Sequence, residues 1–386
     1  MNETLRVGFV GFGFIGKVHA YGYRTISFFS NPLPFETLLA GVCTSRPETA
    51  EQAKEDFGFE FCTMDFREIT ENSEIDVVHI CTPNSLHREE LLSAIAAGKH
   101  IYCDKPLTAT WNEAKEVLEA MKGYKGIHQM TLQNRFFPVT MRAKQLVDEG
   151  FLGRPLSFRA CYLHSGSADP KAPLKWKLDR AYGGGVLLDL GTHVLDLVLL
   201  LLGQPSEVLL ENNIAYSQRP TLADPSKTAP VEAEDQALMM LRFPDGSLGT
   251  VEASKIAVGT EDELRVEIHG SEGALRFNLA DPNHLEVYRQ MDPNEPLGGV
   301  RGWRRIDTVQ HYDPWGTPFP NGKMAVGWMR SHASCLHNFL SAIAGGRKAE
   351  PGMEVGARLQ QIAGIAQCSA SERRWLPVPS SLAESQ

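Results

Sequence analysis

Gly11-Phe12-Gly13-Phe14-Ile15-Gly16 is the stretch that decides the fold. It follows a β-forming run at 5–10 and opens a helical one, the context that a GxGxxG spacing needs before it carries meaning. There the first glycine permits the tight turn, the second lets backbone approach a pyrophosphate, and the third lets the helix pack close to the strand. Phosphate oxygens would meet free N–H groups and the positive end of the helix dipole. Gly11, Gly13, Phe14, Ile15 and Gly16 are therefore candidate cofactor-binding residues.

Outward from this turn, short β-rich runs at 5–10, 38–43, 77–81 and 100–103 alternate with helical patterns at 48–57, 89–97 and 111–121. Such alternation predicts parallel strands with crossover helices. After Arg154 and Pro155 the pattern changes to longer strands at 236–243, 248–255, 263–268 and 274–278, with turn signals at Pro244-Asp245-Gly246 and Gly270-Ser271-Glu272-Gly273. The predicted class is α/β: a Rossmann-type doubly wound parallel sheet over residues 1–130, then an α+β domain over 131–386 with a large, mostly antiparallel open sheet. Residues 281–320, rich in Pro, Gly and Asp, read as a surface segment, and 328–344 and 353–370 as helices. The last of these could pack back on the first domain.

Composition narrows the partners. A net charge of −9 argues against a nucleic-acid surface, which concentrates Lys and Arg against phosphates. The chain is 42% hydrophobic and 22% charged, ordinary for globular proteins. No signal segment is visible at the first residues, and the longest aliphatic run, 197–202, is far below the roughly 20 residues a bilayer requires. A cytoplasmic location without membrane attachment is expected. Seven cysteines without a CxxC pair disfavour a disulfide framework and a zinc site, so no metal is expected.

The second strand ends Cys43-Thr44-Ser45-Arg46, with no carboxylate before Glu48. Since NAD sites usually place Asp or Glu here to bind the ribose hydroxyls, NADP is favoured over NAD, with Thr44, Ser45 and Arg46 as contacts. The alternative is that Arg46 stacks on the adenine of NAD.

Two further segments carry a resemblance: Ile80-Cys81-Thr82-Pro83-Asn84 with His87, and Asp104-Lys105-Pro106. With the glycine turn and the run from Gly183-Gly184-Gly185 to Asp189-Leu190-Gly191-Thr192-His193, they resemble the Gfo/Idh/MocA family, named for glucose-fructose oxidoreductase and inositol dehydrogenase. The resemblance covers residues 5 to about 200 by motif and the remainder by architecture. Members usually have Glu-Lys-Pro where this chain has Asp104-Lys105-Pro106, a departure that shortens the carboxylate and keeps the lysine. The resemblance implies that Lys105 lies beside the nicotinamide ribose and the reacting hydroxyl, and that Pro106 follows a cis bond. It also implies that Thr82, Pro83, Asn84 and His87 line the adenosine and ribose side, and it groups Asp104 and Gln133 with the cofactor residues.

Oxidising a secondary alcohol requires a base within hydrogen-bond reach of the hydroxyl as hydride leaves the same carbon. Asp189 and His193 are spaced i, i+4 and Asp196 follows at i+7, so a helix would put all three on one stripe. His193 is the candidate acid/base, Asp189 would hold substrate or fix the imidazole tautomer, and Lys105 would stabilise an alkoxide-like oxygen. The bland alternative is a helix-start cap with a buried hydrogen bond. Arg135, Tyr162, His164 and Trp176, with Lys177, Trp315 and His332, come from regions that line the substrate cleft in the family. The expected substrate is a sugar, anhydrosugar or cyclic polyol. Competing classes are an NAD-dependent glycosidase working by transient sugar oxidation, and a non-catalytic dinucleotide-binding regulator. A homo-oligomer, dimer or tetramer, is expected through the C-terminal sheet, taken to carry alternating apolar residues on both sides.

Overall fold

The computed structural model describes residues 3–30, 32–297, 299–308 and 327–382. These fall into two compact units, 3–136 with 327–360, and 137–308 with 361–382.

The first unit begins β1 (Glu3–Val10), α1 (Phe14–Phe29), β2 (Phe35–Cys43), α2 (Pro47–Phe57), β3 (Phe61–Thr63), α3 (Arg67–Thr70), β4 (Val77–Ile80), α4 (His87–Ala96), β5 (His100–Cys103), α5 (Trp111–Ala120) and β6 (His128–Met130). All six strands are parallel, in the order β3-β2-β1-β4-β5-β6. The order reverses at β1, and in such sheets the crevice beyond the strand ends at the reversal is where ligands bind. All four residues of β4 are buried, as expected of a strand covered on both faces. Local chemistry sets the helix ends: Pro47 starts α2, left-handed Gly58 ends it at φ 71°, and Thr110 with Glu113 forms a capping box on α5.

In the second unit, α6 (Pro138–Asp148) and β7 (Pro155–Leu163) precede a π-helical turn, Leu187–Gly191, that runs into α7 (Thr192–Leu202). Then come β8 (Glu207–Asn213), the small pair β9 (Gln218–Pro220) and β10 (Thr228–Pro230), β11 (Gln236–Arg242), β12 (Leu248–Ser254), β13 (Glu263–Gly270), β14 (Gly273–Asn278), β15 (His284–Arg289) and β16 (Arg304–Asp307). With β17 (Leu376–Pro377) they build a nine-stranded sheet, β16-β15-β14-β13-β7-β12-β11-β8-β17. Every neighbouring pair is antiparallel except β7 with β12. The segment expected to wander over 281–320 contributes β15 and β16, while its part beyond Thr308 lies outside the described residues.

One face of this sheet is buried and the other is not, which corrects the expectation of apolar residues on both. Phe158, Ala160, Val251, Ala253, Val266 and Ile268 point into the core. The opposite face carries the ion pairs Arg159–Glu267, Arg265–Glu263 and Arg276–Glu286, with Leu238 and Leu248 among them. The helical run Arg180–Leu202 is long and apolar enough to cross a bilayer, longer than the aliphatic tract visible in the sequence, but it is mostly buried in the protein. That is the burial of a core helix.

The sequence reading put everything beyond 130 in one domain, whereas residues 327–360 group with the first unit. They comprise α8 (Trp328–Ala344) and the start of α9 (Met353–Glu372). Gly22 on α1 lets Leu336 of α8 come so close that a Cβ there would lie 2.9 Å from its Cδ2. The Gln129 amide donates to the Cys335 carbonyl at 2.8 Å and accepts from Asn338 Nδ2 at 2.7 Å, tying α8 to β6.

Candidate active site

The glycine turn is built for an anion. Gly11 has φ 83°, its N–H donates to the Cys43 carbonyl at 2.9 Å, and a Cβ on it would lie 2.7 Å from the Cys81 carbonyl carbon. Only glycine fits between the ends of β1 and β4. At Gly13, by contrast, a Cβ would meet nothing within 4 Å, so the space over α1's first turn is open. Gly13 caps α1 without a side-chain hydrogen bond, and no acidic residue stands in the first turn. These free N–H groups and the helix dipole fit a pyrophosphate. Phe14 is 75% exposed and stacks on Trp328 at 5.7 Å, while Ile15 is half-buried.

After β2, the Thr44 hydroxyl bonds the Arg46 carbonyl at 2.9 Å and Thr49 Oγ1 at 2.7 Å, which fixes the turn and leaves Ser45 and Arg46 exposed. After β4, Thr82 and Pro83 are half-exposed and Asn84 is buried. His87 differs from the expectation that it lines the nucleotide side. Wholly buried, it places Nδ1 3.0 Å from the Pro106 carbonyl and Nε2 3.0 Å from the Thr82 carbonyl, clamping one loop to the other. Its pKa is lowered by burial, opposed by the hydrogen bonds to those carbonyls. The Lys105–Pro106 bond is cis, Asp104 and Lys105 are half-buried, and Gln133 is buried in a short 3-10 turn with half-buried Arg135.

Sequence reasoning missed Glu90. It is 3% exposed and accepts the Thr82 hydroxyl at 2.6 Å. Burial raises its pKa to about 8, the Thr82 bond opposing this.

In the second unit, Asp189 lies in the π turn, a local widening that often marks functional sites. Its carboxylate is bracketed by two ammonium groups: Lys177 Nζ at 3.1 Å from both oxygens and Lys255 Nζ at 2.6 Å from Oδ2. Lys255 is the second residue that sequence reasoning missed. It follows β12, and its side chain is only 10% exposed. A lysine where the strand's inward pattern calls for an apolar residue was the available signal. A third is Glu234, buried and raised in pKa by that burial, which accepts the Leu187 N–H at 3.1 Å. Gly185, at φ 118°, is glycine because a Cβ would lie 2.4 Å from the Glu234 carboxylate.

His193 is the second residue of α7 and is 6% exposed, with the Tyr162 ring edge-on at 5.9 Å. Tyr162 donates to Asp262 at 2.6 Å. His164 Nδ1 accepts the Gly166 N–H at 2.8 Å, Trp176 lies under the Lys177 ammonium at 5.7 Å, and Asp196 is fully buried in α7. Thus the second unit brings Asp189, Lys177 and Lys255 into contact and sets His193 against Tyr162. His332 lies in the first unit's α8, buried against Trp328, and Trp315 falls outside the described residues.

Comparison with known proteins follows this division. Residues 5–131 match the family described as "Oxidoreductase family, NAD-binding Rossmann fold", and 140–276 match the "GFO/IDH/MocA C-terminal domain". Levoglucosan dehydrogenase of Pseudarthrobacter phenanthrenivorans is 35% identical over 390 residues, covering 98% of this chain and 99% of its own. Myo-inositol 2-dehydrogenase of Thermotoga maritima is 28% identical over 273 residues, covering 70% and 74%. A solved levoglucosan dehydrogenase in complex with NADH and levoglucosan superposes with a TM-score of 0.90 at 34% identity, over 98% of this chain and all of that one.

Proposed function

The chain belongs to the Gfo/Idh/MocA oxidoreductase family and is a nicotinamide-dependent dehydrogenase of sugars, anhydrosugars or cyclic polyols; from that premise we propose that its substrate is an anhydrosugar of the levoglucosan type. The observation that carries this choice is identity at full length: the levoglucosan enzyme is 35% identical over nearly the whole of both chains, whereas the inositol enzymes are 28% identical over about three quarters or, in Rhizobium meliloti, 24% identical over nearly the whole.

The residues divide the work. The Gly11–Gly16 turn and the free N–H groups of α1 would hold the pyrophosphate of the dinucleotide, whose nicotinamide would supply hydride-transfer chemistry at the alcohol carbon. His193 takes the hydroxyl proton as the C=O bond forms and returns it in the reverse direction. Lys105 stabilises the developing negative charge on that oxygen. Asp189, an acceptor held between Lys177 and Lys255, takes hydrogen bonds from neighbouring substrate hydroxyls and fixes the ring. Arg135, Tyr162, His164 and Trp176 complete the sugar contacts in this assignment.

The finer cofactor choice we propose is NADP, supported by exposed Arg46 and the absence of a carboxylate at the end of β2. The competing choice, NAD, is favoured by the NADH held in the similar levoglucosan dehydrogenase. We propose further that the open sheet face assembles a dimer or tetramer, its ion pairs and Leu238 and Leu248 supplying the contact. The seven thiols are free, which suits a reducing cytoplasm.

The deciding assay follows reduced-nicotinamide absorbance with levoglucosan, glucose and myo-inositol against NADP and NAD. A kcat/KM for levoglucosan below that for myo-inositol would refute the substrate assignment.

A further inference from the structure

The chemistry above leaves one polar group unused, deep in the first unit. Cys81, just after β4, points at His79 of β4 and His19 of α1. His19 Nδ1 is 3.3 Å from Cys81 Sγ and 3.3 Å from His79 Nδ1, and the three ligand atoms lie within 4.8 Å of one another. All three side chains are buried. His79 and Cys81 stand two residues apart at the end of β4 and His19 comes from α1, so the fold, not a CxxC-like spacing, completes the set.

Hydrogen bonding explains this arrangement poorly. A neutral imidazole nitrogen offers either one hydrogen or one lone pair, yet His19 Nδ1 has two neighbours to serve. The contact between the two histidines is longer than the 2.9–3.0 Å typical of a bond to N–H. The opposite nitrogen, His19 Nε2, is buried with no hydrogen-bond partner among the described residues. A shared central ion resolves the first two points. Two of the three separations are 3.3 Å, the spacing of atoms about 2.0 Å from a trigonal or tetrahedral centre and so of imidazole–metal bonds, and the third lies within 4.8 Å.

The surroundings also suit a ligand set. His79 Nε2 is 2.8 Å from the Tyr23 hydroxyl, and its ring stacks on Phe9 at 4.4 Å with 13° between planes. An outer partner of that kind fixes the ring and leaves Nδ1 to face the metal.

We propose that His19 Nδ1, His79 Nδ1 and Cys81 Sγ form a three-coordinate site for a soft monovalent cation, Cu(I). Thiolate sulfur selects soft ions, and one thiolate with two neutral imidazoles around a monovalent ion carries no net charge, which a dry interior tolerates. Zinc would leave a positive charge there and favours a fourth ligand. On binding, the S–H bond breaks as the S–Cu bond forms, the proton leaves to solvent, and no electron moves. The ion would join α1 to the end of β4, directly beneath the Gly11 turn that packs on the Cys81 carbonyl.

The test incubates the folded, full-length protein anaerobically with the Cu(I)–bicinchoninate complex and follows loss of its visible band. Wild type is expected to withdraw one equivalent. Cys81→Ser and His79→Phe should each weaken this by more than about tenfold, and Tyr23→Phe by about tenfold through the outer contact. A triple variant lacking the less buried thiols, Cys62→Ser, Cys161→Ser and Cys368→Ser, should withdraw the ion as wild type does. Uptake unchanged in both Cys81→Ser and His79→Phe, no uptake by wild type, or uptake of Zn(II) in preference to Cu(I) would each overturn the proposal. Nucleotide binding by each variant verifies its fold, and should Cys81→Ser not fold, His79→Phe decides.

Discussion

Each unit of this protein sets a carboxyl group, buried in the first and half-buried in the second, beside its candidate site, and the two are neutralised in opposite ways. In the first unit Glu90 has a hydroxyl for a partner, Thr82, and burial pushes its pKa up to about 8, so it is held as the acid near neutral pH. In the second, Asp189 lies between two lysine ammonium groups, one of them on a side chain only 10% exposed. A proton suffices where the carboxyl only braces a loop under the nucleotide turn. Two fixed cations flank the carboxylate that is proposed to meet substrate hydroxyls. Deprotonating the first and unpairing the second should therefore damage different properties.

The largest effect expected lies in the second unit. His193→Ala removes proton transfer, which contributes about 100-fold to 10,000-fold, so turnover should fall by that order while nucleotide affinity, measured by NADPH fluorescence, stays near wild type. Near-normal turnover at every pH would return His193 to a structural role and move the proton acceptor to Lys105. Next comes Glu90 in the first unit, and its effect is on stability. Its folded pKa is raised from 4.5 to about 8, so its contribution is whole below pH 4.5 and is lost as pH rises toward 8. Glu90→Gln, which stays neutral, should gain about 5 kcal/mol over wild type across that window and no more above it. Urea midpoints at pH 5, 6.5 and 8 check this; parallel curves for the two proteins would show that Glu90 ionises freely.

The contrast between the units also explains what the sequence disclosed. The nucleotide end is written in contiguous residues, so the Gly11–Gly16 turn, α1 and the parallel sheet were legible, whereas β3 and β6, three residues each, are too short for a periodicity to register. The second unit's site is assembled across the sheet. Asp189 could be picked from its neighbourhood to His193, but Lys255 and Glu234 reach the π turn from just after β12 and just before β11, the Glu234 contact spanning 47 residues. His87 shows the limit of carrying a role by resemblance: its side chain is buried and reaches the carbonyls of Pro106 and Thr82, a clamp between two loops.

Lys255 sharpens the comparison directly. Lys255→Met leaves Asp189 with Lys177, whose side chain is 48% exposed, and so loosens the carboxylate without touching the acid/base residue. Loss of one charged hydrogen bond predicts a fall of about 10-fold to 100-fold in kcat/KM, mainly in KM, with Lys255→Arg restoring most of it. A purely structural lysine would instead lower the melting midpoint with KM unchanged.

The smallest effect belongs to the first unit's exposed cation, Arg46. The Thr44 and Thr49 hydroxyls both bond its carbonyl at 2.9 Å, so the backbone at the end of β2 is fixed while the side chain stays in solvent. A charge-assisted bond from Arg46 to a 2′-phosphate would contribute about 1 to 3 kcal/mol, less at high salt because the site is exposed. Arg46→Asp removes that cation and supplies a carboxylate where NAD sites carry one for the ribose hydroxyls. NADPH binding should therefore weaken by roughly 5-fold to 150-fold and NADH binding hold or tighten, and raising ionic strength should narrow the wild-type preference. Equal weakening of both nucleotides would mean that Arg46 stacks on adenine without reading the phosphate, and NAD would then be the better assignment.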